Sequence, residues 1–322
     1  MTGKSRNITY DIARAISMLW IIGVWHLQEY FPKIELLHET GKPITVSVLG
    51  VFTFMSGFFL GKKEVSPLEF YKTRIKRFYV LYFLACLTMT IGELFSWQQL
   101  FYSLTGLSCF ILPQIKTLWF FSMMIILYIV TPFITHKSKC QIHLSMLLKS
   151  FFVWLVFLGI SYITPIDERL LIYSPFYFVG LLFPFKLFEI CMKYRMKLLL
   201  SALICFVVLY LKCTENIILS IFGFICIMSI SDYIKSYGNK VIIKILNKIA
   251  YASMTAYLFH RHIYKVFKIL FGDKVGFLDW YWGGIMVAVV MFVAYIIQYI
   301  YDNKIRQFIF RLGKDESYIN NR

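Results

Sequence analysis

Runs of mostly apolar residues recur ten times along the chain, separated by short charged segments. A helix needs about 20 such residues to cross the hydrocarbon core of a bilayer. The candidate spans are 8–30, 44–61, 78–96, 118–135, 146–163, 171–188, 198–211, 216–231, 249–271 and 283–302. The seventh and eighth are short, so nine or eleven spans fit the pattern as well. The hydrophobic share is 59% and the charged share 16%, where soluble domains run near roughly 45–50% and 25%. A water-soluble globule of 322 residues has no surface on which to place so few charges. The composition also excludes a disordered, fibrous or disulfide-scaffold protein. The expectation is an all-α, polytopic transmembrane helix bundle of about ten spans in a lipid bilayer. It forms one domain over 1–322, with no linker, low-complexity tract or internal repeat.

The charge pattern orients the bundle. The net charge is +17, which in a soluble protein would point to nucleic acid. Here basic residues collect in cytoplasmic loops by the positive-inside rule, and no nucleic-acid partner is expected. With a cytoplasmic N-terminus, 24 Lys and Arg fall on the inner side and nine on the outer, and Arg14 lies within a span. Both termini are therefore expected in the cytoplasm. The one irregular segment is 260–282, which carries Arg261, Lys265, Lys268 and Lys274 on the outer side. It marks either a functional outer loop or a misplaced end of the ninth span. The first apolar run carries Arg14 and His26 and ends in no small-residue cleavage site, so it reads as a span and not as a cleaved signal. The seven cysteines form no CxxC and most lie in apolar runs, where Cys acts as a small hydrophobe. No metal site is expected. His260 and His262 are two apart, on opposite sides of a helix, with no carboxylate or Cys beside them.

Ionisable groups inside a span are costly unless they face the bundle interior or water. The first span has three, Asp11, Arg14 and His26. Asp11 and Arg14 share a helix face near the inner end; an interfacial ion pair with Arg14 reaching the headgroups is the plain alternative. His26 is about 18 Å further along at ~1.5 Å per residue, near the outer boundary. Ser56-Gly57 interrupts an aromatic run in the second span. It fits close helix packing or a hydroxyl and backbone N–H reaching a ligand. Arg74 and Arg77 are three apart before the third span. They are either topological charge or a pair of planar forks suited to phosphate. No Gly-rich phosphate loop is present, which argues against ATP hydrolysis. Trp119 opens the fourth span, where an aromatic belt places Trp in any case.

In order, these elements resemble the acyltransferase-3 family of integral membrane acyltransferases over most of the chain. The acid-Arg-His set of the first span is Asp11, Arg14 and His26; the "F-F-x-x-S-G-F-x-L" phrase is met by Phe52, Ser56, Gly57, Phe58 and Leu60. The R-x-x-R phrase is Arg74 and Arg77; the L-W-F phrase is Leu118, Trp119 and Phe120; the late S-x-x-x-Y-L-x-H phrase is Ser253, Tyr257, Leu258 and His260. One spacing departs from the family: eleven residues separate Arg14 from His26 where ten are usual. Twelve steps of about 100° leave the two side chains roughly 120° apart on an ideal helix. A π-bulge at Gly23, or within Trp20–Gly23, would absorb the extra residue. Alternatively the two need not share a face, if one grips the cofactor and the other meets the substrate.

The resemblance implies transfer of an acyl group, usually acetyl, from cytoplasmic acetyl-CoA to a hydroxyl of a surface polysaccharide, lipopolysaccharide or other glycan or glycolipid outside the cell inner (plasma) membrane. It makes His26 the general base, with Arg14 and Asp11 in the catalytic set. Arg74, Arg77, Ser56, Trp119, Tyr257 and His260 become residues of the cofactor site. An imidazole titrating near 6.5 suits proton removal from a sugar hydroxyl. Ser56 is a possible acyl carrier, so direct and two-step transfer both stand. A carrier reading stands beside the enzyme: a flippase or exporter of a lipid-linked glycan or small metabolite, using the same intramembrane polar residues. A glycan polymerase is disfavoured, because the longest outer segment is about 23 residues. The acceptor sugar and the oligomeric state are not legible.

Overall fold

The computed structural model describes residues 7–29, 37–60, 66–92, 95–111, 118–135, 144–212, 216–271 and 279–305. Among them there is no strand. The helices are α1 (Ile8–Glu29), α2 (Leu37–Leu60), α3 (Pro67–Arg74), α4 (Val80–Ile91), α5 (Trp97–Thr105), α6 (Trp119–Thr135), α7 (Leu144–Ile163), α8 (Glu168–Leu182), α9 (Phe185–Lys193), α10 (Arg195–Lys212), α11 (Asn216–Tyr237), α12 (Lys240–Phe271) and α13 (Asp279–Ile300). Nine of the ten expected segments lie, in their described parts, mainly on one of these helices each. By length and composition six described stretches are able to cross a membrane: Ile8–Glu29, Gly41–Leu60, Leu144–Ile163, Ile218–Tyr237, Lys240–Phe271 and Tyr281–Ile305. Val80–Ile91 and Trp119–Thr135 are apolar but shorter.

The expected segment 171–188 does not run through as one helix. Phe183 and Pro184 adopt extended backbone and divide α8 from α9. Proline lacks the N–H that a continuing helix needs. The short α9 that follows buries Phe188 and exposes Leu187 and Ile190. The Phe188 ring stacks on Tyr10 of α1 at 4.9 Å. α9 therefore lies at the end of the bundle that holds the start of α1. This is called the inner end, after the charge bias.

The outward faces are apolar. Phe151, Phe152 and Ile163 on α7, Leu200 and Ile204 on α10, and Phe292 and Ile296 on α13 are all exposed. Backbone polar groups are paired within helices, as a lipid environment demands. The chain is a multi-pass membrane protein.

Two glycines set the deepest contact. A Cβ on Gly57 of α2 would lie 2.1 Å from the Tyr177 carbonyl oxygen, and one on Gly180 of α8 would lie 2.2 Å from the Phe54 carbonyl oxygen. Each helix thus uses a glycine to admit the other's backbone, the small-residue packing that membranes favour. Gly57 is accounted for by this crossing. Its neighbour Ser56 is half-buried, and its hydroxyl donates to the Phe52 carbonyl at 2.8 Å.

α1 lies against α2, α11, α12 and α13. Its inner end is fixed by polar contacts. Asn7 caps it through the Thr9 amide, and the Thr9 hydroxyl donates to Asp232 of α11 at 2.9 Å. Asp232 also accepts from Arg195 of α10 at 3.0 Å. These pairings leave the next turns of α1 to face α2 and α12, where the polar residues converge.

Candidate active site

α1 is not a uniform helix. It is α-helical over Ile8–Trp20, π-helical over Ile21–His26 and 3-10 over Leu27–Glu29. The wide turn begins within the stretch where the long Arg14-to-His26 spacing predicts a bulge and runs on to His26 itself. Such a turn changes the carbonyl ladder from i+4 to i+5 pairing. The Tyr264 hydroxyl of α12 donates into it, at Ile22 O, 2.8 Å away. Tyr264 is fully buried. Loss of one partner of a buried hydrogen bond costs about 1–3 kcal/mol. Tyr264→Phe is therefore expected to lower resistance to unfolding by SDS titration by that amount. A variant with wild-type stability would show that the bulge does not depend on this bond.

Arg14 and His26 open on different spaces. Arg14 lines an inner cavity of about 180 Å³ together with Ser56, Arg74, Ser253 and Tyr257. Its guanidinium donates to the Ser253 hydroxyl at 2.8 Å and lies 4.0 Å from Asp11. Ser253 in turn donates to Ala250 O at 2.8 Å. Arg74 is held between two rings, with its guanidinium carbon 5.6 Å from the Phe70 centroid and 5.8 Å from Tyr128. The rest of the wall is Leu49, four methionines (Met18, Met55, Met124 and Met254), Tyr128 and the rings of Phe52, Phe59, Phe78, Phe120 and Phe121. Among the described lining residues there are two guanidiniums and no carboxylate. That is a sleeve for a ligand with an anionic end and a slender, weakly polar arm.

His26 lines a second cavity, of about 250 Å³, at the outer end. Trp25, Glu29, Lys42, Trp119, Arg169, Tyr173 and Arg261 share it. Arg169 is built in by two partners, Asp167 and Trp119. Nε and Nη2 donate to the two Asp167 carboxylate oxygens at 2.7 and 2.6 Å, and its guanidinium carbon lies 4.2 Å from the Trp119 centroid. Trp119 is also stacked on Tyr173, with ring centroids 5.5 Å apart. Arg261 pairs with both oxygens of Glu29 at 2.8 and 2.7 Å, and Lys265 donates to Gly92 O at 2.6 Å, capping the end of α4. Two of the cations that made 260–282 irregular are thus used within α12, which runs on to Phe271.

The two cavities are neighbours. Leu49 and Tyr257 line both. Tyr257 has Phe120 and Phe121 at 5.7 Å on one side and His26 at 6.3 Å on another. A linear group passing between these residues would bring its tip from the arginine-lined space to the imidazole.

The residues named from sequence therefore sort into places. Arg14, Arg74 and Ser56 line the inner cavity, Trp119 and His26 the outer one, and Tyr257 both. Asp11 is buried beside Arg14 but lines neither. His260 is fully buried and lines neither. The Arg77 side chain lies outside the described residues. Sequence reasoning passed over Arg169, Arg261 and Tyr264. A signal for the last two existed: Ser253, Tyr257, Arg261 and Tyr264 recur at four, four and three residues, the stripe of one helix face. Among the described residues there is no cluster of His, Cys, Asp or Glu able to hold a metal ion.

An all-helical membrane bundle with two neighbouring cavities, one lined by Arg14 and Arg74 and the other by His26 beside Lys42, Arg169 and Arg261, has the parts of a group-transfer site within the bilayer. The chain belongs to the acyltransferase 3 family: its acyltransferase domain matches residues 7–299. It is a membrane acyltransferase. No curated protein and no solved structure matches it.

Proposed function

We propose that the protein moves an acetyl group from cytoplasmic acetyl-CoA to a hydroxyl of a glycan or glycolipid on the outer side of the cell inner membrane. The observation that carries this reading is the pair of neighbouring cavities that share Leu49 and Tyr257 as lining residues, with Arg14 and Arg74 on one and His26 on the other. The phosphates of the donor sit at the inner mouth, where guanidinium forks bind phosphate in two-point fashion. The pantetheine arm lies along the Met and Phe wall, and the thioester reaches Tyr257. The acceptor enters the outer cavity. His26 removes the hydroxyl proton as the oxygen attacks the thioester carbonyl. Collapse of the tetrahedral adduct breaks the C–S bond, and the departing thiolate takes a proton to leave as CoA thiol. Transfer is direct in this reading, since the Ser56 hydroxyl is engaged with Phe52 O.

The test is thiol release from acetyl-CoA by the purified protein in nanodiscs, with and without surface glycan extracted from the source cells. Acceptor-dependent release supports the reading. Glycan movement across vesicles without thioester cleavage would replace the enzyme with a carrier. The phosphate assignment has its own readout in the double variant Arg74→Ala, Arg77→Ala. Charge-assisted hydrogen bonds contribute about 1.5–3 kcal/mol each, so the KM for acetyl-CoA is expected to rise about tenfold or more, with kcat nearly unchanged. An unaltered donor titration would reduce the pair to topological charge.

A further inference from the structure

The histidine of α12 sits where the sequence motif gives no hint of its partner. The His260 ring lies flat against the His26 ring, with centroids 4.6 Å apart and planes 7° from parallel. His260 is completely buried. Its Nδ1 is 2.8 Å from Tyr257 O and 3.2 Å from Ala256 O. Both are carbonyls and can only accept, so Nδ1 carries the proton. Its Nε2 then holds a lone pair, and that atom is buried with no hydrogen-bond partner among the described residues. Tyr264 stands edge-on to the same ring at 5.7 Å, planes 80° apart. The His26 side of the stack has matching features. Its Nδ1 is also buried without a partner among the described residues, so no hydrogen bond from that nitrogen to a described residue orients the ring. What remains accessible of it opens on the outer cavity.

We infer that His260 is the positioning residue for His26: its buried ring is a plate, lying flat against the His26 imidazole, that holds it at one angle to the outer cavity. This rests on the proposed role of His26 and assigns His260 away from donor binding. A catalytic imidazole is normally oriented by a hydrogen bond from its second nitrogen; here the flat contact replaces it. The Nδ1–H of His260 is engaged with the Tyr257 and Ala256 carbonyls of its own helix.

Two substitutions separate the ring face from the hydrogen bond. His260→Phe keeps a plate and loses the Nδ1–H; His260→Asn keeps a donor at that position and loses the plate. The measurement is steady-state kcat and KM for acetyl-CoA with extracted surface glycan, in nanodiscs, beside His26→Ala. The expected result is that His260→Asn lowers kcat at least tenfold, leaves the KM for acetyl-CoA within twofold, and that His260→Phe recovers most of the loss. Three results would overturn the inference: near-wild-type kcat in His260→Asn; a raised KM with kcat unchanged, which would return His260 to the donor site; or His260→Phe folded and no better than His260→Asn. Should His260→Phe fail to fold, the Asn variant decides alone through its split between kcat and KM. Failure of the underlying reading looks different, since His26→Ala would then be as active as the unaltered protein.

Discussion

His26→Ala is expected to lower acyl transfer by about 10²–10⁴-fold, the usual contribution of a positioned general base, while donor binding and fold survive. The substitution removes a ring that is 94% covered, its relative exposure being 6%. The space it leaves adjoins the outer cavity, so water or the acceptor enters it with little rearrangement. The KM for acetyl-CoA is expected to hold, because Arg14 and Arg74 line the other cavity. Activity and donor affinity falling together would mean that His26 supports the donor, and the account of two chambers with separate tasks would be wrong. Full activity would remove the base assignment itself.

The second large effect is structural. Gly57→Val is expected to destabilise the fold by at least about 3 kcal/mol, at the upper end of overpacking costs. The reason is that a Cβ there would lie 2.1 Å from the Tyr177 carbonyl oxygen and 3.0 Å from the Leu181 amide nitrogen. Both are backbone atoms, so no rotamer change relieves the contact. α2 and α8 would have to move apart, and with them the walls that carry Leu49 and Ser56 on one side and Tyr173 on the other. Gly159→Ala is the control, since nothing lies within 4 Å of the new Cβ, and surface changes of that kind stay within about 0.5 kcal/mol. The readout is the yield of monodisperse protein and the SDS midpoint of unfolding. Equal behaviour of the two variants would show that the α2–α8 crossing is not tightly packed.

How far these features could be read in advance depends on the kind of signal each leaves. Helix positions were legible because twenty apolar residues have few other fates in a chain with this charge pattern. The wide turn of α1 was one of two readings left open by the extra residue between Arg14 and His26, which is extra against the spacing usual in the family, and the π-helical stretch Ile21–His26 overlaps the place named for it. Its support by Tyr264 was not legible, since that bond links residues 242 positions apart. The break at Phe183–Pro184 carried a plain local mark, the proline, that an apolar window of constant length averages away. Gly57 illustrates a different limit: its sequence neighbourhood suited either packing or ligand approach, and only the position of Gly180 across the contact decides between them. The outer cavity was the least visible part. Arg169 read as an ordinary outer charge and Arg261 only as part of an irregular segment, because Trp119 and Glu29 are brought to them from distant parts of the chain.

The central claim is that donor and acceptor reach one imidazole from opposite faces of the membrane. The direct test is sidedness in sealed vesicles holding the protein in one orientation. Radiolabelled acetyl-CoA is confined to the compartment facing the start of α1, and extracted glycan to the other. The account requires label to appear on the glycan across the membrane, and to vanish in a Tyr257→Trp variant that fills the junction of the two cavities. Label transferred only when both substrates share a compartment would contradict it.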